Sequence, residues 1–185
     1  MGKFAVIDTE TNWNDRVMSI GTLIADADSF TLIDAKYHVL TPEYLVGGMF
    51  ENTLFADPRL HPVICTRREA LTDLINWFTT YGVDTIFAYN AGFDCNHLPE
   101  LCRMHWYDIM RLAAYRQYNP RIPERAECFS TGRLKRGYGV EAMLRLLSGN
   151  RTYHETHNAL YDAMDELQIM RLMGHKLSSY IPLKK

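Results

Sequence analysis

Residues 4–13 read FAVIDTETNW: four apolar residues, Phe4 to Ile7, run straight into Asp8, Thr9 and Glu10. Such a run, rich in β-branched and aromatic types, predicts a buried strand from Lys3 to Asp8. Side chains alternate along a strand, so Phe4, Val6, Asp8 and Glu10 share a face. Two carboxylates spaced in this way lie about 7 Å apart. At an effective dielectric of about 20 they repel by about 2 kcal/mol. A divalent cation between them reverses the sign of that interaction, and carboxylate oxygens suit Mg²⁺ or Mn²⁺. The plain alternative is that Glu10 opens a solvated loop, and a D-x-E pattern alone does not separate the two.

Outward from this strand, Val17 to Ala27 and Leu32 to Leu40 have the same composition and predict two more strands, with a turn at Asp28 and Ser29. Pro42 to Pro62 reads as irregular. Ala70, Leu71, Leu74, Ile75 and Phe78 recur at helical spacing, which predicts a helix over Arg67 to Tyr81 ended by Gly82. Asp84 to Tyr89 returns to strand. Further helices are expected at Asp94 to Cys102, Asp108 to Tyr118, Val140 to Leu147 and Asn158 to Met173. Strands first, then helices interleaved with one more strand, imply an α/β layered domain. The 185 residues fit one domain over residues 1–185, without repeats or a Gly/Ser/Pro-rich linker. Residues 174–185 form a tail, and its stretch KLSSYIPLKK reads as a docking segment or as disordered chain.

The net charge is −2, from 20 basic and 22 acidic residues, so the molecule as a whole does not attract polyanions. A nucleic-acid site must therefore come from local charge. Between Arg111 and Arg136 lie seven basic residues against Glu124 and Glu127, a local net of +5, with Tyr115 and Tyr118 interleaved. Part of that charge reads as a solvated face, and the remainder suits the phosphates of a single strand. No apolar run is long enough to span a membrane, and the one after Lys3 stops too soon for a secretory signal. Cys65, Cys95, Cys102 and Cys128 show no paired spacing and read as reduced thiols of a cytoplasmic protein. Cys95, His97, Cys102 and His105 superficially resemble a zinc pattern. However, Cys95 and His97 diverge on a helix, and no C-x-x-C clamp exists.

Two more stretches carry carboxylates at element starts. In IFAYNAGFDCNHL, residues 86–98, a strand meets a turn and Asp94 falls in the first turn of the next helix. The helix dipole alone accounts for a carboxylate there. In HNALYDAMDE, residues 157–166, five residues separate His157 from Asp162, a rotation of about 140° on a helix. Both can face one site only if His157 lies in the loop, Asn158 caps the helix and Asp162 sits one turn in.

Taken together, DTE, NAGFD and HNALYD, in this order, resemble the three motifs of the DEDDh-type 3′→5′ exonucleases. That family includes the proofreading subunit of bacterial replicative polymerases, ribonuclease T and oligoribonuclease. The resemblance runs from Phe4 to about Met173, and WYDIMRLAAY and GYGVEAMLRLL are similar to the family's intervening helices. It implies a ribonuclease H-like fold, a mixed β-sheet with helices on both faces. It further implies two Mg²⁺ or Mn²⁺ ions held by Asp8, Glu10, Asp94 and Asp162, with Asp8 bridging both and His157 as general base. The implied substrate is the 3′ end of single-stranded DNA or RNA, released as nucleoside 5′-monophosphates.

Thr9, Thr11, Trp13, Asn90 and Phe93 flank these acids and are the candidate substrate contacts. Trp13 reads equally as a base-stacking or a packing residue, and Phe93 taken alone reads as core. Two departures bear on the substrate: Thr11 is followed by Asn12 and Trp13 where the family often has Thr-Gly, and Tyr89 precedes Asn90 where it often has His. The motifs leave open a proofreading subunit with a polymerase partner, a homodimer, an endonuclease of the same fold and a non-catalytic nucleic-acid-binding module.

Overall fold

The computed structural model describes residues 2–183. β1 (Lys3–Thr11) lies inside a six-stranded mixed sheet with β2 (Val17–Asp26), β3 (Leu32–Leu40), β4 (Val63–Cys65), β5 (Thr85–Ala88) and β6 (His105–Asp108). The strand order is β4-β3-β2-β1-β5-β6. β1, β2 and β3 pair antiparallel, while β4 joins β3 and β5 joins β1 and β6 in parallel.

The alternation of β1 sorts its residues between two cores. Phe4 and Val6 pack with Met143 and Leu144 of α4 (Val140–Ser148) and with Ala163, Leu167 and Met170 of α5 (Ala159–Met173). Ala5 and Ile7 turn the other way, toward Ala70, Leu74 and Phe78 of α1 (Arg67–Tyr81). Burying a side chain the size of Phe4 or Ile7 contributes about 1.5–3 kcal/mol. Asp8 and Glu10 continue the Phe4/Val6 row, so the pleat that fills the α5-side core also delivers both acids to α5. α1 begins in a capping box: Thr66 Oγ1 accepts from the Glu69 N–H while the Glu69 carboxylate accepts from the Thr66 N–H at 2.8 Å. It ends at Gly82, whose φ of 67° needs a residue at ease in the left-handed region.

Three expectations are corrected. β1 runs on to Thr11, so Glu10 is a strand residue, with a register shift between Glu10 and Thr11. The helix expected over Asp94 to Cys102 is α2, Gly92–His97, followed by a 3₁₀ turn at Pro99–Leu101. The residue before a proline is pushed out of helical geometry, which stops α2 at Leu98. The helix expected over Asp108 to Tyr118 is only α3, Met110–Ala113, because Asp108 closes β6. Residues 114–139 then form an irregular arm, pinned by bridges between Tyr115 and Arg133 and between Cys128 and Leu134.

The tail is docked as far as Leu183. Tyr180 is buried with its ring against Phe87, and the Leu183 N–H donates to the Trp106 carbonyl at 2.9 Å. Lys184 and Lys185 lie outside the described residues.

Candidate active site

Asp8 pairs across the sheet with Gly21 of β2. That glycine decides how near α5 can come: a β-carbon there would stand 2.1 Å from the Ala159 carbonyl oxygen. With no side chain in the way, the start of α5 lies on β2 and Asp162, in its first turn, reaches the Asp8–Glu10 row. Asn158 caps α5, its Oδ1 accepting from the Leu160 N–H at 3.1 Å, as the spacing of His157 and Asp162 requires.

His157 therefore sits in the loop, at a φ of 55°. Its ring stacks on Phe50 at 4.1 Å and 14°, and its carbonyl accepts from the Thr53 hydroxyl. Glu10, His157 and Asp162 each place a ligand atom within 4.8 Å of the other two.

Asp94 arrives from the far side of β1, on α2. It is 2% exposed, and Thr9 Oγ1 donates to its Oδ1 at 2.7 Å. Thr9 thus holds an acid in place. The turn before α2 is fixed by Asp108, whose Oδ1 accepts from the Asn90 N–H at 3.1 Å and the Met110 N–H at 2.9 Å. Asn90 is exposed at a φ of 61° and serves that turn.

The electrostatics follow from crowding. Burial and then the field of Asp162 push Glu10 up to about 9. Burial and then Asp8 push Asp162 up to about 9. Asp8 is raised well above the usual carboxylate range, by burial first and then by Asp94 and Glu10. Burial lifts Asp94 to about 7 against the Thr9 hydroxyl, which favours the charged form. Asp8 Oδ2 and Asp162 Oδ1 are closed off from solvent and have no hydrogen-bond partner. Buried carboxylate oxygens left in this way fit the donor set of a divalent ion, which would offset the repulsion that raises these groups.

Beside Glu10 opens a cleft of about 310 Å³ lined by residues 9–13, Met49, Phe50 and Phe93. Trp13 is 67% exposed and Phe93 39% exposed, so both aromatic rings face this space. The core placement expected for Phe93 is corrected: its ring packs on His97 one turn along, at 4.2 Å, and lines the cleft. Thr11 lines the cleft as well.

Some site residues had no motif to announce them. Glu166 is 1% exposed, carries an unpartnered Oε2 and is raised by burial and by Asp8, Asp94 and Asp162. It sits four residues after Asp162 on α5, a spacing that puts it on the same helix face and could have been read. Glu155, whose charge helps to raise Asp8, Glu10 and Asp162, and Phe50 lie outside regular elements, and Thr53 ends a short 3₁₀ turn, so no periodicity points to them. His97 is engaged elsewhere, its ring nitrogens facing the Phe93 carbonyl at 2.9 Å and Asp15 at 3.1 Å.

No family model and no curated relative matches the sequence. Solved structures do. The nuclease domain of 3′hExo, a DEDDh family member bound to rAMP, is 14% identical, and the likeness covers 99% of this chain and 96% of that one at a TM-score of 0.67. Exonuclease X in complex with 5′ overhanging duplex DNA is 20% identical over 95% of each chain, at a TM-score of 0.55. E. coli Exonuclease I with a dA16 oligonucleotide is 14% identical over 97% of this chain and 42% of that longer one, at a TM-score of 0.64. The chain thus has the ribonuclease H-like α/β fold of the DEDDh 3′-exonucleases, a mixed sheet covered by helices on both faces.

Proposed function

We propose that this protein is a metal-dependent 3′→5′ exonuclease acting on the 3′ ends of single-stranded nucleic acid, DNA or RNA. One observation carries the reading: Asp8, Glu10, Asp94 and Asp162 come from β1, α2 and α5 into one another's field, with Asp8 Oδ2 and Asp162 Oδ1 buried and unpartnered, next to an imidazole and an aromatic cleft. The same fold in proteins named as exonucleases supports it.

Asp8, Glu10, Asp94 and Asp162 are the residues that would hold Mg²⁺ or Mn²⁺. Such ions supply a water of lowered pKa and neutralise charge on the attacking and leaving oxygens of an in-line displacement. The chain's own groups do the rest. The cleft lined by Trp13, Met49, Phe50 and Phe93 receives the terminal nucleoside and sets its phosphodiester against the acids. His157 takes the proton of the attacking water as the new P–O bond forms. The bond from phosphorus to the 3′ oxygen of the preceding nucleotide breaks, and that oxygen takes a proton from solvent. A nucleoside 5′-monophosphate leaves. Phe50 and Thr53 hold the imidazole in place for this step.

His157→Ala should slow hydrolysis by about 10²–10⁴-fold with the fold intact. Asp8→Asn should do worse, because Asp8 faces both groups of ligands. Full activity in either variant contradicts the assignment.

A further inference from the structure

We propose that Phe129, Arg133 and Tyr138 form a second base-stacking site, outside the cleft, that holds the body of a single strand whose 3′ end lies among the acids. The inference rests on the reading of the protein as a nuclease of single strands and narrows it. The substrate is a strand long enough to reach both places, not a dinucleotide.

The three side chains belong to the arm between α3 and α4, where a tight turn sets Phe129 against Arg133. The Phe129 N–H donates to the Arg133 carbonyl at 2.8 Å, and the Gly132 N–H donates to the Phe129 carbonyl at 2.9 Å. The guanidinium carbon of Arg133 lies 4.9 Å from the centre of the Phe129 ring and 5.2 Å from that of Tyr138, so one cation joins two rings. Arg133 has no carboxylate partner among the described residues. Phe129 is 45% exposed and Tyr138 38%, so both rings leave much of their surface to solvent. A surface cation–π contact contributes about 0.5–1 kcal/mol, less than the about 1.5–3 kcal/mol that burying a phenyl side chain contributes. The arm thus forgoes burial and keeps a flat, cationic, aromatic surface open.

This surface is held firmly, and at the end of the sheet where the acids lie. β1 and β5 run parallel, so Asp8 and Glu10 late in β1 and Tyr89 just past β5 share one edge. Tyr89 donates its hydroxyl to the Tyr138 carbonyl, and α4 begins two residues after Tyr138. Leu134, next to Arg133, is buried in the α5-side core, and its N–H donates to the Ala114 carbonyl at 2.9 Å. Rings fixed before binding cost less ordering when a ligand arrives.

The chemistry selects the occupant. Nucleobase faces stack on aromatic rings and on the guanidinium plane. The phosphates between them meet Arg125, Lys135 and Arg136, a local positive excess that the whole chain, at −2, does not have. A single strand brings both the charge and the open faces, whereas a duplex keeps its bases stacked on one another.

The test measures binding of the full chain in EDTA, by anisotropy, to DNA and RNA strands of about 12 nucleotides. Each strand is used intact and in a form stripped of every base but the 3′-terminal one, with its phosphates unchanged. Wild type should bind the intact strand about 5–100-fold more tightly. Phe129→Leu and Tyr138→Leu keep apolar bulk without the ring, and Arg133→Lys keeps the charge without the flat guanidinium. These variants should lose about 5–100-fold on the intact strand and bind the stripped one as wild type does, with the salt slope of Arg133→Lys unchanged. Equal binding of both strands by wild type, variants that keep wild-type affinity for the intact strand, or equal losses on both strands overturn the proposal. Thermal unfolding shows that the variants are folded, and the comparison of strands on wild type decides for any that is not. With Mg²⁺ or Mn²⁺, stripping the upstream bases should raise KM more than it lowers kcat. A protein that passes the binding test but hydrolyses nothing contradicts the proposed function and leaves the stacking site standing.

Discussion

Gly21 faces Asp8 across the β1–β2 ladder, and a β-carbon on Gly21 would stand 2.1 Å from the Ala159 carbonyl oxygen of α5. The approach of α5 to the acids therefore depends on a residue that carries no chemistry. Gly21→Ala must displace backbone, not the tip of a flexible side chain. It should cost about 1–3 kcal/mol of stability, as overpacking a tight core does. It should also reduce hydrolysis, because Asp162 moves with the helix. Urea unfolding and an Mn²⁺-supported assay check this together; wild-type values in both would mean that the close approach does not position the site.

Stability of the metal-free protein should fall as pH rises from about 7 to about 9. Glu10 and Asp162 are raised to about 9 in the folded chain, from ordinary values of 4.5 and 3.8. In this window the folded state binds protons that the unfolded chain has released, so the stability these carboxyls contribute is lost as pH climbs through the folded values. Buried His38, whose pKa is lowered by burial, acts in the opposite sense but below about 6.5, outside the window. Bound metal needs the deprotonated acids, so Mn²⁺ should raise the thermal midpoint more at pH about 8.5 than at pH about 7. Midpoints in EDTA and in Mn²⁺ at both pH values measure this. An EDTA midpoint that climbs with pH, or an Mn²⁺ shift that does not depend on pH, would count against the crowded-acid account.

Trp13 should act on any terminal base. Trp13 is 67% exposed and lines the cleft, so Trp13→Ala removes a stacking platform and little packing. Binding of oligonucleotides should weaken by about 1–3 kcal/mol, alike for all base sequences. Affinities for homopolymer strands of different bases, read by anisotropy with the acids intact, decide it. Unchanged affinity, or a loss confined to one base, removes the stacking role.

The arm between α3 and α4 should set the salt response. Arg121, Arg125, Lys135 and Arg136 are exposed and enter no ion pair among the described residues. Arg133 is ordered against the Phe129 and Tyr138 rings, at 4.9 and 5.2 Å. If the arm follows the phosphates, Lys135→Glu with Arg136→Glu raises KM for long strands and flattens its dependence on salt, by a slope of about 1 for each lost contact. A salt slope equal to that of wild type would assign these charges to a merely solvated face.

The motifs made the acids legible because each lies in a short stretch whose element could be read, Asp8 and Glu10 on β1, Asp94 in the first turn of α2 and Asp162 in the first turn of α5. The alternation Phe4, Val6, Asp8, Glu10 carries through to the cores and the site, and the helix over Arg67 to Tyr81 matches α1 in its bounds and terminal glycine, with Ile75 exposed and Trp77 buried in its place. What stayed hidden depends on distant partners. β6 is four residues long and is a strand only because β5 lies beside it. Asp108 looked like a helix start, yet it closes that strand and caps the Asn90 turn. Phe50, Thr53 and Glu155 reach the site through loop geometry that no periodicity encodes. Gly21 could not be recognised, since its meaning is the nearness of a helix that starts 138 residues later, at Ala159.

The most direct test is to incubate the protein with a 5′-labelled single strand and Mg²⁺ or Mn²⁺, follow its length with time, and identify the released product by mass. The account predicts stepwise shortening from the 3′ end, nucleoside 5′-monophosphates as the product, and complete arrest by EDTA. Cleavage of a covalently closed circle, shortening from the 5′ end, or no metal-dependent hydrolysis of either DNA or RNA would contradict it.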